Sequence, residues 1–429
     1  MTNIKLHFAI LFTVCSMYSF GQKEITTLFP LKWKADIGIT TYRTNIIEDK
    51  GIIYIGSNGN DRNSNLDSRD GVYAIDPKTG AIIHQYSVPF AGDDDVTGIA
   101  IGDEKLFFGT DNYYFFCFDL KTHQEIWKYP LPNDVESAPV LADFNNDNIL
   151  DVAFNVQFSG MYVLNGINGE LIWVNGEIGS HDGNVSPQLY DINKDGVMDI
   201  ISSGRGEPNS NEINGFKMAH YGDYHFALDG KNGTLLWAVE TGAGTHSTPF
   251  ILKKKESLEI YFLDCYGELN VVNEFGKVIK TSGFGYGNFS SPIITNDEHL
   301  VIGDYSIEIN EKYYEPSEDS TYSFLTNKAK SNDAEIEGKI SATTMVADVL
   351  GKGYSQLIGV SESGILFISK TDGTVIHKFK IPTGSEASVF IKDLDGDHKL
   401  EIIVADLNGT IYCYKTNSTG KVERGQFKL

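Results

Sequence analysis

The sequence predicts an all-β fold, and three features support that prediction. Short strands of alternating polarity, separated by Gly and Asn turns, form a unit that recurs about every 51 residues. A strand like "GVYAID", followed by a turn like "KTG", recurs from Gly71, Tyr114, Gly160 and Tyr224. All four Trp residues follow that turn or its equivalent, which indicates packing at one repeat position: Trp33, Trp127, Trp173 and Trp237. Radial repetition of such four-stranded units predicts a β-propeller of eight blades, with seven as the alternative.

Candidate first strands mark the blades in order along the chain. They lie in "TTYRTNII", "DVTGIAI", "VESAPVL", "NVSPQLY", "THSTPFI", "NFSSPII", "SATTMVA" and "SEASVFI". No Pro-rich or Ser-rich linker interrupts the repeat, so residues 22–429 are predicted to form a single propeller domain. Two terminal segments could complete the ring, "PLKW" near the N-terminus and "TGKVERGQF" at the C-terminus. The sequence leaves both closures open.

Residues 1–21 are predicted to be a secretory signal peptide. They contain one Lys, the apolar run "FAILFTVCSMYSF" and the end "GQ". That run is too short to span a bilayer, so we expect export without membrane insertion, to the periplasm or alternatively to the extracellular space. A net charge of −23 argues against nucleic acid and anionic membranes as partners. The remaining Cys residues, Cys117, Cys265 and Cys413, form no disulfide framework.

Three hairpins carry acidic loops with the donor spacing of a calcium site. Oxygen donors occupy positions 1, 3, 5 and 9 of "DFNNDNILD", "DINKDGVMD" and "DLDGDHKLE", and a hard cation prefers such ligands. A fourth loop, from Asp348, keeps only the first ligand, which favours a structural task over a catalytic one. Solvated turns without metal are the alternative. We expect three structural Ca²⁺ sites and no organic cofactor, with the ligands Asp143, Asn145, Asp147, Asp151, Asp191, Asn193, Asp195, Asp199, Asp393, Asp395, Asp397 and Glu401.

The unusual insertions all belong to one face of the predicted propeller. In a four-stranded antiparallel blade, the acidic hairpin and the "KTG" turn share one face, and the remaining connections share the other. The insertion "GRGEPNSNEINGFKMAHYGD" lies on that second face, as do "GSHDGN" and "GTHSTP". Loops on a rigid scaffold commonly carry binding and catalytic residues. The residues expected around this mouth are Arg205, Lys217, His181, His220, Tyr221, Tyr224 and His246.

A cation beside His and Tyr suits β-elimination at a uronic acid. No HExxH motif, P-loop or Ser-His-Asp order is present in the sequence. Arg neutralises the sugar carboxylate, a base removes the adjacent proton, and an acid protonates the leaving oxygen. The candidate base is His220 or His181, and the proton donor is Tyr224 or Tyr221. Arg205 is the candidate neutraliser and His246 an orienting group, while the candidate substrate-binding residues are Lys217, Asn184 and Asn288.

The repeats resemble two groups of propellers. "VYAIDPKTG" and "FALDGKNGTLLW" are similar to pyrroloquinoline-quinone-type repeats, and the acidic loops are similar to those of the FG-GAP type. The His, Tyr and Arg set and the signal end "SFGQ" also resemble the propeller ulvan lyases and oligosaccharide dehydratases of ulvan-degradation loci. This resemblance implies an oligosaccharide dehydratase or polysaccharide lyase that leaves an unsaturated uronyl residue.

The substrate expected from that resemblance is an anionic, ulvan-type oligosaccharide with a uronic acid next to sulfated rhamnose. The alternative is a non-catalytic, calcium-stabilised propeller that binds a protein or glycan partner. A scaffold fold alone does not decide between these functions.

Overall fold

The computed structural model describes residues 23–25, 28–60, 68–87, 94–179, 185–206, 212–213, 216–217, 222–255, 257–283, 289–303, 305–308 and 336–425. Within these ranges the regular structure is all β, apart from a single 3₁₀ residue. No helix in these ranges is long and apolar enough to cross a membrane.

The strands follow one another around the ring in sheets whose pairings are antiparallel, apart from that of the first strand, which pairs in parallel with the penultimate blade. Two short strands precede the first blade, β1 (Lys23–Glu24) and β2 (Leu31–Asp36). The first three blades comprise β3 (Ile46–Asp49), β4 (Ile52–Asn58), β5 (Asp70–Ile75), β6 (Ile82–Tyr86), β7 (Ile99–Gly102), β8 (Lys105–Thr110), β9 (Tyr114–Asp119), β10 (Glu125–Pro130), β11 (Val140–Ala142), β12 (Asp151–Val156), β13 (Gly160–Leu164) and β14 (Leu171–Asn175).

The fourth blade is the most elaborate. It contains β15 (Ile178–Gly179), β16 (Gln188–Tyr190), β17 (Asp199–Gly206), β20 (Asp223–Leu228) and β21 (Leu235–Thr241), and its insertion holds the separate hairpin of β18 (Glu212–Ile213) and β19 (Phe216–Lys217). The fifth blade comprises β22 (Phe250–Lys253), β23 (Leu258–Leu263), β24 (Glu268–Val272) and β25 (Val278–Gly283).

The remaining strands complete the ring. They are β26 (Ile293–Ile294), β27 (His299–Ile302), β28 (Tyr305–Glu308), β29 (Met345–Ala347), β30 (Gln356–Val360), β31 (Ile365–Lys370), β32 (Val375–Lys380), β33 (Phe390–Lys392), β34 (Glu401–Ala405), β35 (Thr410–Lys415) and β36 (Val422–Arg424). We call the sheet of β29–β32 the penultimate blade and the sheet of β33–β35 with β2 the last blade.

The blade count corrects one prediction. Seven sheets in the described ranges contain the four strands of a blade, whereas the sheet of β26–β28 contains three. The prediction of eight four-stranded blades is therefore wrong for these ranges, and the alternative of seven agrees with them. The reason is local: after β28 the strand pattern gives way to a long polar stretch, residues 309–335, which lies outside the described residues.

The two terminal segments pair with different blades, and one of them closes the ring. The strand β2, which contains "LKW", pairs with β35 from Leu31↔Tyr414 to Asp36↔Thr410 and supplies the fourth strand of the last blade. The strand β36, from "KVER", instead pairs with the first strand of the penultimate blade, β29. The N-terminal strand therefore closes the ring, while the C-terminal strand extends the penultimate blade.

Tryptophan contacts connect successive blades, as predicted from the repeat. The Trp173 indole donates a hydrogen bond of 2.8 Å to the carbonyl of Gly230 in the next blade. A Cβ on Gly233 would lie 2.4 Å from the same indole, so glycine is required there, and its φ of +72° also favours glycine. Trp33, Trp127 and Trp237 donate in the same way to the turn of the blade that follows each of them. The four Trp residues are packing residues.

Hydrogen bonds also join the inner ends of the blades. The hydroxyl of Ser186 accepts from the amide of Ala138 at 3.0 Å, and that of Ser291 accepts from Thr248 at 2.9 Å. These residues precede first strands, and the first strands surround an axial channel of about 710 Å³. The serines directly before Pro187 and Pro292 thus link neighbouring blades around the axis.

The two faces predicted from blade topology are present. Lys231, in the turn before β21, pairs with Asp195 of the acidic hairpin at 2.7 Å. Asn193 in that hairpin donates to Asp229 of the same turn at 3.2 Å. The acidic hairpins and the third turns therefore share one face, which we call the hairpin face. The opposite face, with the other connections, is the loop face.

Candidate functional site

A cavity on the loop face lies between the fourth and fifth blades. It has a volume of about 320 Å³, within the range of small-molecule sites. Its lining comes from the end of β17, the start of β20, the turn before β22 and the β23–β24 turn: Gly204, Arg205, Asp223, Gly242, Ala243, Gly244, Thr245, His246, Cys265 and Tyr266. Connections between strands and between blades thus build one concave site.

An ion pair crosses the floor of this cavity. Arg205 and Asp223 are register partners on β17 and β20, and Arg205 Nε donates to Asp223 Oδ1 at 3.1 Å. On its other side the backbone of Arg205 pairs with Gly179 of β15. Arg205 is therefore held by strands on both sides, with its guanidinium oriented by a carboxylate. The side chain keeps 33% of its surface exposed, which leaves it accessible from the cavity.

The opposite wall carries an imidazole, a thiol and a phenol. His246 lies in the turn that leads into β22, and its ring meets Phe289 edge-on with 4.9 Å between centroids. Tyr266 is 73% exposed at the rim. Its turn is fixed because the Tyr266 amide donates to Asp264 Oδ1 at 2.9 Å and the Cys265 amide donates to the Gly244 carbonyl at 2.8 Å. Burial raises the pKa of Asp264 above its usual range.

Two of the predicted site residues come together in this cavity, and one does not. Arg205 and His246 both line it. Tyr224 is 3% exposed and packs in an apolar cluster with Met161 and Trp173 of the third blade. The alternation of β20 explains this, because Asp223 points to the fifth-blade side and the next residue to the other.

The structure describes no side chain for the other predicted residues of the mouth. His181, Asn184, His220, Tyr221 and Asn288 lie outside the described residues. Lys217 belongs to β19, where its backbone pairs with Glu212. The roles of all these residues stay predictions.

A second histidine of the fourth blade is a packing residue. His225 is fully buried on β20, where it stacks on Phe262 with 4.2 Å between centroids. Its Nδ1 lies 2.9 Å from Ser203 Oγ. Burial lowers the pKa of His225 to about 3, so the imidazole is neutral at physiological pH. His225 is therefore a packed strand residue.

Sequence reasoning missed a cluster at the axis of the loop face. We call Tyr42, Arg43, Glu136, Phe289 and Lys339 the axial cluster. Tyr42 stacks on Phe289 with 4.9 Å between centroids and 15° between planes. Arg43 pairs with Glu136 at 2.6 Å, and Lys339 Nζ lies 4.1 Å from the centre of the Phe289 ring. The available signal was positional, because these residues fall in the turns that lead into first strands.

The acidic loops lie on the hairpin face, away from this cavity. In the loop of the third blade, Asp143 accepts from the amides of Asp147 at 3.0 Å and Asn148 at 2.8 Å. Asp151 is buried and accepts from the amides of Phe144 at 3.0 Å and Gly166 at 3.1 Å. The loop of the fourth blade repeats this pattern with Asp191, Asp195, Gly196, Asp199 and Gly230. Backbone amides thus fix the first and ninth carboxylates of both loops.

The donor set of these two loops fits a cation. Burial raises the pKa of Asp151 and of Asp199 to about 6. A bound cation would favour the charged form of each carboxylate. In the degenerate loop, Gln356 takes the ninth position and donates to Asp348 Oδ1 at 3.1 Å. That loop therefore closes through a neutral amide, with no carboxylate for a metal at this position.

The loop of the last blade combines carboxylates with lysines. Oxygen atoms of Asp393, Asp395 and Glu401 lie within 4.8 Å of one another. Lys32 from β2 donates to Asp395 Oδ2 at 2.8 Å and to Glu401 Oε1 at 3.2 Å, and the hydrogen bond from Lys32 lowers the pKa of Asp395 to about 2. Lys415 also pairs with Asp397. An ammonium therefore contacts two of the predicted calcium ligands.

Comparisons with protein families match two parts of the chain. A model of the outer membrane protein assembly factor BamB matches residues 68–249, and a model of the lambda-carrageenase β-propeller domain matches residues 356–428. No curated protein matches the chain. Each family match covers less than half of the sequence, so neither assigns the chain to a family. Together they support a propeller that contains quinone-type repeats.

Solved structures show the same fold at low sequence identity. BamB from Moraxella catarrhalis is 14% identical, with a TM-score of 0.58 over 90% of this chain and 98% of that chain. The quinohemoprotein alcohol dehydrogenase from Comamonas testosteroni is 14% identical, with a TM-score of 0.61 over 95% and 80%. A europium-containing methanol dehydrogenase is 13% identical, with a TM-score of 0.61 over 88% and 85%. The β-propeller prediction is confirmed.

Proposed function

We propose that the protein is an exported, periplasmic enzyme that acts on an anionic oligosaccharide by β-elimination at a uronic acid. The observation that carries this proposal is the convergence of Arg205, His246 and Tyr266 on one loop-face cavity. The match of residues 356–428 to the propeller domain of a carrageenase adds support for a carbohydrate substrate. The substrate class is that of the predicted resemblance, an ulvan-type oligosaccharide.

The cavity supplies the groups that elimination requires. Arg205, oriented by Asp223, binds the uronate carboxylate and stabilises the negative charge that develops when the adjacent carbon loses its proton. His246 is the imidazole that lines the described cavity, and it takes the C5 proton; His220 and His181 are the predicted alternatives. The electrons of the C5–H bond form the C4–C5 double bond while the C4–O bond breaks.

The leaving oxygen takes a proton from a phenol. Tyr266 is the exposed phenol at the cavity rim, and Tyr221 is the predicted alternative. Tyr224 is a weaker candidate, since it is buried against the third blade. The products are an unsaturated uronyl residue and either water or a shorter sugar, depending on which group occupies C4.

Calcium binding is the second part of the proposal. The loops of the third and fourth blades would hold Ca²⁺ through Asp143, Asn145, Asp147 and Asp151, and through Asp191, Asn193, Asp195 and Asp199. The last-blade loop would use Asp393, Asp395, Asp397 and Glu401. The cations would cross-link the strands of each hairpin, and their position on the hairpin face gives them a structural task.

The ultraviolet absorbance of the conjugated uronate tests the reaction. Purified protein should raise it on uronate-ended, rhamnose-sulfate oligosaccharides. Arg205→Ala and His246→Ala should each lower the rate roughly 100-fold, the scale of losing one charge-stabilising or proton-transfer group. Lys277→Ala, at an exposed residue of the hairpin face outside the acidic loops, is the control and should keep the wild-type rate. If the ultraviolet absorbance does not rise on any uronate substrate, the proposed enzymatic function is refuted.

A second candidate function is a non-catalytic binding platform. The match of residues 68–249 to the BamB family favours it, because that family is named for outer membrane protein assembly. Under this alternative, the loop face binds a protein partner and the Arg205–Asp223 pair is structural. Absence of elimination, together with one envelope protein that co-purifies with wild type and is lost with Tyr266→Ala, would favour the platform.

A further inference from the structure

The axial cluster ties several blades together across the mouth of the channel. Tyr42 precedes β3 in the first blade, whereas Phe289 precedes β26 on the far side of the fifth blade. Their stacking therefore crosses the axis. Arg43 connects the first blade to Glu136, which precedes β11 in the third. The cluster therefore covers the loop-face end of the axial channel with two stacked aromatic rings.

The candidate cavity and the axial cluster adjoin through one side chain. His246 lines the cavity, and its ring also meets the edge of Phe289. A ligand that leaves the cavity past His246 therefore reaches the rings of Phe289 and Tyr42. Both rings are partly exposed, so a sugar can contact them from the loop face.

The two cations of the cluster differ in how they are neutralised. Arg43 pairs with Glu136 at 2.6 Å, and its Nε donates to Tyr42 Oη at 3.1 Å. Arg43 therefore positions the tyrosine. Lys339 is exposed, and its ammonium lies over the Phe289 ring. Among the described residues, no carboxylate forms an ion pair with it. A cation–π contact holds an ammonium in place without cancelling its charge.

We propose that the axial cluster is a second subsite, which binds the sugar next to the uronate. Lys339 binds a sulfate or carboxylate on that sugar, and Phe289 and Tyr42 contact its ring. This inference rests on the proposed function for the identity of the first sugar. The bound group should be an anion, because the Lys339 ammonium provides a local positive charge. Most of the surface does not, since the net charge of the protein is −23.

Titration calorimetry with two probes tests the subsite. The first probe is a uronate-ended tetrasaccharide sulfated on its second sugar, and the second is the same tetrasaccharide after desulfation. Lys339→Met should weaken binding of the sulfated probe roughly tenfold, the scale of one charge-assisted contact, and leave the desulfated probe unchanged. Lys277→Met removes an exposed lysine of the hairpin face and is the matched control, with no change for either probe.

The outcomes separate the subsite from the reaction. Equal effects of Lys339→Met on the two probes, or no effect on either, would overturn the subsite. If wild type binds the sulfated probe in a Lys339-dependent way yet forms no unsaturated uronate, the subsite stands and the reaction is refuted. If wild type performs elimination while Lys339→Met keeps KM and Kd, the reaction stands alone. No binding of either probe to wild type would overturn the subsite outright.

Discussion

Replacing Lys32 with Met should loosen the closure of the ring. Lys32 lies on β2, the strand that completes the last blade, and its ammonium contacts Asp395 and Glu401. In the third and fourth blades, the ninth carboxylate of the acidic loop accepts from the amide of Gly166 or Gly230. The last blade has no such turn, because its fourth strand comes from the N-terminus. Lys32 takes over that donor role for Glu401.

The size of the effect follows from burial. The Glu401 side chain is fully buried and that of Lys32 is 14% exposed, so the substitution leaves a buried carboxylate without its cation. Breaking a buried ion pair costs about 3–5 kcal/mol. Lys415 Nζ remains 3.6 Å from Asp395 and offsets part of that cost. We expect Lys32→Met to lower the free energy of unfolding by about 3 kcal/mol in EDTA.

Urea unfolding in EDTA and in Ca²⁺ measures this effect. Lys34→Met, at an exposed position of the same strand, is the matched control and should cost less than about 0.5 kcal/mol. In saturating Ca²⁺ the cost of Lys32→Met should shrink, because a cation in the loop restores the missing positive charge. A loss below about 1 kcal/mol in EDTA, or the same loss as for Lys34→Met, would refute the argument.

Three further predictions follow from the described contacts. Burial lowers the pKa of His225 to about 3, so below about pH 6.5 the unfolded chain binds a proton that the native state does not. As the pH falls from about 6.5 towards 3, the free energy of unfolding should decrease by up to about 1.4 kcal/mol per pH unit. His225→Leu should reduce that slope in urea titrations at pH 7 and pH 5, and parallel curves would contradict the assignment. Trp173→Phe should cost about 1–2 kcal/mol, because the Gly230 carbonyl loses its donor, and unchanged unfolding would count against the indole bond. Asp199→Asn should lower the number of Ca²⁺ ions bound in calorimetry by one, and an unchanged number would exclude that loop as a site.

Much of the fold could be predicted because its signals are local and repeated. Strand alternation, the "KTG" turns and the Trp residues recur in register, and each Trp packs against a turn glycine such as Gly233. The two faces follow from antiparallel topology alone. The same logic placed Arg205 and His246 on the loop face, and both line one cavity there.

The remainder depends on contacts between distant parts of the chain. Nothing local distinguishes β2 from β36 as the closing strand, since both are short and partly apolar. Their distant partners decide it: β2 pairs with Tyr414 of the last blade, whereas β36 pairs with Val346 of the penultimate blade. The axial cluster was not predicted because its five members come from four turns that are distant in sequence, and only Tyr42 and Arg43 share a turn. Tyr224 follows Asp223 by one step of strand alternation, which turns its ring toward the third blade. The sheet of β26–β28 contains three strands because the strand pattern in the sequence ends after β28.

The pairing of β2 with β35 sets an order of events in folding. The strand β2 is synthesised before its partner β35, which follows more than 370 residues later, so β2 stays unpaired until then. Until then, the last blade has an open edge and Glu401 has no ammonium beside it. Ring closure is therefore the step with the greatest loop-closure entropy, and the blades between can form before it from neighbouring strands. In a chain whose synthesis stops before β35, β2 has no partner strand. It would then pair with another exposed sheet edge, including one on a second copy of the chain.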